Sequence, residues 1–121
     1  MGKEGFRELQ VWQKAKDLAV YIYKITNEGY FYKDFGLRDQ IRRSAVSVAS
    51  NIAEGDERDT DKDSVRFFFM AKGSLAELLT QIIISKEIHY LTDEEFNKIA
   101  NECEIVGKML GKLIRVRSKE Q

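Results

Sequence analysis

The sequence contains no proline among its 121 residues. Proline removes a backbone hydrogen bond and breaks helices, so its absence predicts long, uninterrupted helices. The sequence also contains a single cysteine, Cys103, which excludes a disulfide within the chain. These two shortages together favour a helical protein that is held by packing rather than by covalent links.

The sequence has no excess of charge of either sign. Its 20 basic residues balance its 20 acidic residues, so any attraction to nucleic acid or anionic lipid must be local. No run approaches the roughly 20 consecutive apolar residues that cross a bilayer, and the first residues lack the apolar segment of a signal peptide. We therefore expect a cytoplasmic protein without a membrane partner.

The residue sets of common catalytic and metal sites are also missing. His89 is the single histidine and no Glu-x-x-His motif is present, which excludes the di-iron site of helical bundles. Cys103 falls on an apolar helix stripe with no histidine predicted beside it, so a buried thiol is favoured over a nucleophile. Residues 59–70 begin like a calcium loop but lack its glycine and its final glutamate. The sequence thus predicts no enzyme, metal or cofactor.

Apolar side chains recur with helical spacing along the whole chain. In the second predicted helix, Ile41, Ala45, Val48 and Ile52 form one narrow stripe. A second apolar line on the same helix predicts neighbours on two sides, and its members are Val46, Ala49 and Ala53.

Similar stripes predict four helices, over residues 9–28, 36–54, 61–90 and 93–117. Short connections between amphipathic helices favour antiparallel neighbours. The predicted fold is all-α, an antiparallel up-down-up-down four-helix bundle in one domain over residues 1–121.

Three capping signals set the expected helix ends. Gly55 is predicted to stop the second helix. Thr60 is expected to cap the third helix, and Thr92 with Glu95 forms a capping box for the fourth.

The third helix is apolar on more than one side. Residues 67–70 and 82–84 are consecutive apolar runs, and three successive helical residues span about 200° of the circumference. A helix with one buried face does not need such runs, and an exposed apolar strip marks a protein interface. Self-association is therefore predicted, through Phe67, Met70, Ile84 and Ile88. Lys72 falls inside the apolar arc, where snorkelling or ion pairing would explain it.

Polar residues flank the core stripe of the second helix. They indicate either a ligand pocket or hydrogen bonds between helices or subunits, and we favour the second because buried polar groups usually come as satisfied sets. The expected members of this network are Ser44, Asn51, Glu54, Arg66, Ser74 and Glu77.

One side of the last helix is basic. Lys108, Lys112, Arg115 and Lys119 follow an i, i+4, i+7, i+11 spacing. Phosphates could bind this basic stripe, and Arg38, Arg42 and Arg43 form a second possible patch. The alternative is neutralisation, because the bundle topology places the acidic turn at residues 56–63 at the same end.

Three segments carry a resemblance to a known family. They are residues 6–15 (FRELQVWQKA), 40–55 (QIRRSAVSVASNIAEG) and 71–78 (AKGSLAEL). Together they resemble the family of proteins encoded in intervening sequences of 23S rRNA genes, also called S23-type ribosomal proteins. The resemblance covers nearly the whole chain. It implies a ring-shaped homopentamer and no established enzymatic activity.

A related branch of that family, the accessory proteins of diversity-generating retroelements, is basic and binds nucleic acid. The balanced charge of this chain departs from that branch. Two functional hypotheses therefore stay open. The first is a non-enzymatic, self-associating scaffold or adaptor. The second is an RNA- or DNA-binding accessory protein whose basic stripe is repeated around a homo-oligomer.

Overall fold

The computed structural model describes residues 5–119, and these residues form helices and turns without a strand. A 3₁₀ turn at Gly5–Glu8 precedes the helices. The helices are α1 (Gln10–Ile25), α2 (Tyr30–Lys33), α3 (Phe35–Asp56), α4 (Asp61–Glu87) and α5 (Asp93–Lys119). The predicted all-α class and the four long helices are confirmed.

The four long helices pack around one core in the order α1, α3, α4, α5. Each helix packs against the next in this order, and α5 packs against α1 to close the bundle. Within residues 5–119 the diagonal pairs, α1 with α4 and α3 with α5, make no close backbone contact. The pairs Ser44–Gln81 and Ser47–Ser74 show that α3 and α4 run antiparallel. The contacts Lys14–Glu102 and Tyr21–Lys98 show the same for α1 and α5. The predicted up-down-up-down arrangement is therefore the observed one.

The predicted capping residues act as helix starts. Thr92 and Glu95 form a reciprocal capping box, with N–H to oxygen distances of 2.9 and 3.0 Å. The Thr60 hydroxyl accepts from the Asp63 N–H at 3.1 Å. Sequence inspection missed Asp34, whose carboxylate caps α3 at the Leu37 N–H and also accepts from the Tyr90 hydroxyl.

The C-terminal ends of all four predicted helices differ from the structure by two or three residues. Helix α1 ends at Ile25 rather than at residue 28, and α5 is helical through Lys119 rather than residue 117. Helix α4 ends at Glu87 rather than at residue 90, and His89 adopts a positive φ of 67° just beyond it. Helix α3 continues through Gly55 to Asp56 instead of stopping at residue 54.

Gly55 serves close packing rather than termination. A Cβ placed on it would lie 2.6 Å from Phe68 Cε1, so only glycine lets α3 and α4 approach this closely. The contact lies next to the turn that joins the two helices. Gly55 therefore fixes how tightly the α3–α4 hairpin closes.

Helix α4 has the length and mean hydropathy of a membrane-crossing helix. The core helix of a bundle meets the same criterion, and one side of α4 packs here against α3 and α5. Its residues Phe68, Ala71, Leu78 and Ile82 are fully buried. The apolar composition of that side is explained by the bundle core.

We predict that Gly55→Ala lowers the free energy of unfolding by about 2 kcal/mol, because the new methyl group overlaps the Phe68 ring. Gly111→Ala is the matched control. Its Cβ would lie 3.6 Å from the flexible end of Arg115, so higher helix propensity should stabilise the chain by up to about 1 kcal/mol. Urea denaturation followed by circular dichroism measures both changes. Equal effects would contradict the close packing at Gly55.

Candidate functional site

The outer side of α4 is an exposed apolar surface. Its large side chains are between 41% and 54% exposed, although the opposite side of the same helix packs against α3 and α5. We define the α4 face as Phe69, Met70, Gly73, Ile83, Ile84 and Ile88. The structure gives Gly73 no neighbour within 4 Å of an added Cβ, so the middle of this face is open. Three of the four predicted interface residues, Met70, Ile84 and Ile88, lie on it.

The fourth predicted interface residue, Phe67, is buried, which corrects that prediction. Its ring lies under two guanidinium groups, with Arg58 at 4.3 Å and Arg66 at 4.7 Å from the ring centroid. Phe67 precedes the buried Ala71 by one helical turn, and this phase places it on the core side. The same phase calculation would have assigned Phe69 and Ile83 to the exposed face.

A second apolar surface lies between α1 and α3. It is an open groove of about 530 Å³. Its floor consists of small residues, and its walls are larger apolar side chains together with Lys16 and Ser50. We define the α1–α3 groove by its apolar lining, Phe6, Trp12, Ala19, Val20, Tyr23, Val46, Ala49 and Ala53. The second apolar line that was predicted on this helix therefore packs only in part and otherwise lines the groove.

The polar residues between α3 and α4 form hydrogen bonds. The Ser44 hydroxyl donates to Gln81 Oε1 at 2.7 Å, and Ser47 and Ser74 lie 2.9 Å apart. Asn51 Nδ2 donates to the Ser47 carbonyl and hydroxyl. These contacts join the two helices along their seam and support the predicted structural role.

Three expected members do not belong to this network. Arg66 instead donates to Asp63 on its own helix, at 3.0 and 3.1 Å. Glu54 and Glu77 are exposed, and their carboxylates make no hydrogen bond to another residue of the 5–119 segment. The network is therefore shorter than predicted and is confined to the middle of the α3–α4 seam.

Three carboxylates of the acidic turn, those of Asp56, Asp61 and Asp63, pair with cations outside the basic stripe. Arg117 Nη2 lies 2.8 Å from Asp56 Oδ1, and Arg117 Nη1 lies 3.9 Å from Asp61. Asp63 forms ion pairs with Arg58 and Arg66. The end of α5 does lie against the acidic turn, as the topology predicted, but the residue that binds there is Arg117.

Asp56 is the buried member of this cluster. Its side chain is 2% exposed, and that of Arg117 is 20% exposed. Within the described part of the chain, Asp56 Oδ2 has no hydrogen-bond partner. Sequence inspection missed the pair, although Arg117 follows the buried Ile114 by three positions and so lies on the core side of α5.

The basic stripe lies on the solvent side of α5. Lys108 pairs with Glu104 at 3.1 Å on the same helix. Lys112, Arg115 and Lys119 are exposed and form no ion pair with any other residue from 5 to 119. The acidic turn therefore does not neutralise the stripe within one chain.

The second possible patch does not present three available cations. Arg42 donates to the Thr26 hydroxyl at 2.8 Å and stacks on the Tyr23 ring, so it ties α3 to the end of α1. Arg38 pairs with Asp39 at 3.1 Å. Arg43 alone is exposed without such a contact in the described residues.

Cys103 lies in the core, and its burial, reinforced by the charge of Glu102, raises the pKa of its thiol to about 12. A thiol with such a pKa is protonated at neutral pH and is a poor nucleophile. Over residues 5–119 no three His, Cys, Asp or Glu side chains are placed to hold a metal ion. The functional features that the described geometry does present are two exposed apolar surfaces and the basic stripe.

We predict that Arg117→Met lowers the free energy of unfolding by about 3 kcal/mol, because it leaves the buried Asp56 carboxylate without its cation. Lys112→Met, on the exposed stripe of the same helix, should change it by less than about 0.5 kcal/mol. Urea denaturation at neutral pH measures both. A stable Arg117→Met variant would show that Asp56 is hydrated rather than paired.

Comparison with known proteins identifies relatives of the chain. The sequence model for the 23S rRNA-intervening sequence protein family matches residues 7–112. A crystal structure of a protein with unknown function from the S23 ribosomal protein family, from Bacteroides thetaiotaomicron, superposes with a TM-score of 0.79. That protein is 26% identical, and the alignment covers 86% of this chain and 97% of the other. No curated protein sequence matches the chain. Neither the family description nor the neighbour's name assigns a catalytic activity.

Proposed function

We propose that this chain, which belongs to the 23S rRNA-intervening sequence protein family, acts as a non-enzymatic, self-associating helical scaffold. The observation that carries the proposal is the α4 face, where four large apolar side chains of α4 and that of Ile88, which follows the helix directly, are exposed. The assembly we propose is the homopentamer that the family resemblance implies.

The extent of the α4 face supports an interface. Phe69 and Ile88 are separated by 19 positions, which corresponds to roughly 28 Å along a helix. Contiguous apolar patches of this kind on soluble proteins mark contact sites, since exposing them to water is unfavourable. Association would bury these side chains and leave the charged outer side of α5 accessible to a further partner.

We expect the protein to sediment as an oligomer at micromolar concentration and Ile84→Glu to sediment as a monomer. The new carboxylate would be buried without a partner in the interface, which is strongly unfavourable. Val116→Glu is the control, because Val116 on α5 is 46% exposed and lies outside the α4 face. Sedimentation velocity measures all three.

Circular dichroism should show that the three proteins have the same helix content. A monomeric unaltered protein would contradict self-association. An Ile84→Glu variant that stays oligomeric would instead remove the α4 face from the interface.

A second candidate function is nucleic-acid binding through the basic stripe. The supporting observation is that Arg117, Arg58 and Arg66 occupy the acidic turn, while most of the stripe has no ion-pair partner in the described chain. Neighbouring stripe residues lie about one helical turn apart, within reach of successive phosphates. Weak contacts repeated around a homo-oligomer would together give a higher affinity for the nucleic acid than one copy has alone.

For this second candidate we predict that the double variant Lys112→Glu, Arg115→Glu weakens binding to a single-stranded RNA pool by at least about 10-fold at low salt. Fluorescence anisotropy measures the affinity, and its dependence on salt should become shallower. The control is Lys24→Glu, Lys33→Glu, which changes the net charge equally at the opposite end of the bundle. Equal losses in the two double variants would show attraction by net charge alone. Unaltered binding by the stripe variant would remove the stripe as a site.

A further inference from the structure

The molecule carries two exposed apolar surfaces on different helices, the α4 face and the α1–α3 groove. We infer that the α4 face of one copy binds in the α1–α3 groove of the next copy, so that the interface is head-to-tail. This inference rests on the proposed self-association and assigns the surface that receives the α4 face.

The shapes of the two surfaces are complementary. The groove has a floor of alanines, Ala19, Ala49 and Ala53, between walls that include Trp12 and Tyr23. The α4 face is a ridge of branched and aromatic side chains. Helices pack when the ridge of one fits a groove lined by smaller side chains on its neighbour.

The charges of the two surfaces also differ in sign. Over residues 69–88, the exposed charged residues of α4 are Lys72, Glu77 and Glu87, so carboxylates outnumber the one ammonium group, and none of the three forms an ion pair with another residue of the described chain. Lys86, in the same stretch, turns toward α5 and pairs with Asp93 at 2.9 Å.

The groove has basic residues at its edges. Lys16 contributes to its lining but is paired with Asp17 at 2.7 Å, whereas the exposed Arg43, which adjoins Tyr23 and Val46 in the neighbouring depression, has no such partner in the described residues. Docking the α4 face in the groove would therefore bring unpaired carboxylates toward Arg43. Such complementarity orients partners and disfavours the wrong pairing.

A symmetric pairing of two α4 faces is less favourable on the same evidence. Glu77 lies near the midpoint between Phe69 and Ile88, so an antiparallel α4–α4 contact would place the two copies of Glu77 close together. Like charges in an interface destabilise it. That arrangement would also leave the α1–α3 groove exposed to water in both copies.

Mixing two monomeric variants distinguishes the two arrangements. Ile84→Glu spoils the α4 face and keeps the groove, whereas Val46→Glu spoils the groove and keeps the α4 face. Val46 is 41% exposed, so its substitution leaves the core intact. We expect each variant alone to associate at least about 100-fold more weakly than the unaltered protein, because a carboxylate is buried without a partner.

An equimolar mixture of the two variants should form a heterodimer with twice the 14.0 kDa mass of one chain. One intact α4 face then meets one intact groove. Light scattering after size-exclusion chromatography measures the mass. Val20→Glu, on the α1 side of the groove, should behave as Val46→Glu does and replaces it if that variant does not fold.

The possible failures are distinct. A monomeric unaltered protein would overturn the proposed function itself. An oligomeric unaltered protein with oligomeric Val46→Glu and Val20→Glu variants would overturn the head-to-tail interface and leave self-association standing. Monomeric single variants that form no heterodimer on mixing would also overturn it, since both surfaces would then be needed in the same copy.

Discussion

The close approach of α3 and α4 is the constraint on which the rest of the bundle depends. Gly55 leaves room for the Phe68 ring, and serine side chains in the seam replace the bulk that would hold the helices apart. These two helices have the most extensive packing in the molecule. Helix α1 then packs on α3 and α5 packs on α4, so the two outer helices follow the geometry that this hairpin sets.

That hairpin also determines which surfaces remain exposed. Because α4 contributes to the core with one side only, its other side keeps a row of isoleucines and aromatic residues in water. The groove between α1 and α3 stays open because the alanines on its floor do not fill it. The interaction surfaces are thus consequences of packing at the core, and no separate element is needed to build them.

Local patterns in the sequence predicted most of the fold. Apolar periodicity gave the four long helices, and short polar motifs such as Thr92 with Glu95 gave two of their starts. The failures arise where a residue acts through a distant partner. Gly55 has the local pattern of a helix stop, but its function is to leave room for the Phe68 ring. Arg117 has the local pattern of an exposed cation, but it donates to Asp56, which is 61 positions away in the chain. Phe67 was assigned to the wrong side of its own helix. Its spacing of one helical turn from the core residue Ala71 predicts the buried position that the structure shows.

The pairing of Asp56 with Arg117 bears on how the protein is made. During synthesis the α3–α4 turn leaves the ribosome well before the end of α5 exists. Until then no Arg117 guanidinium is present to donate a hydrogen bond to the Asp56 carboxylate, and burying that carboxylate unpaired would raise the free energy of the folded state. Burial of the Asp56 carboxylate therefore depends on α5, although the turn that carries it belongs to the α3–α4 hairpin. The closed form of this turn and the docked form of α5 stabilise each other.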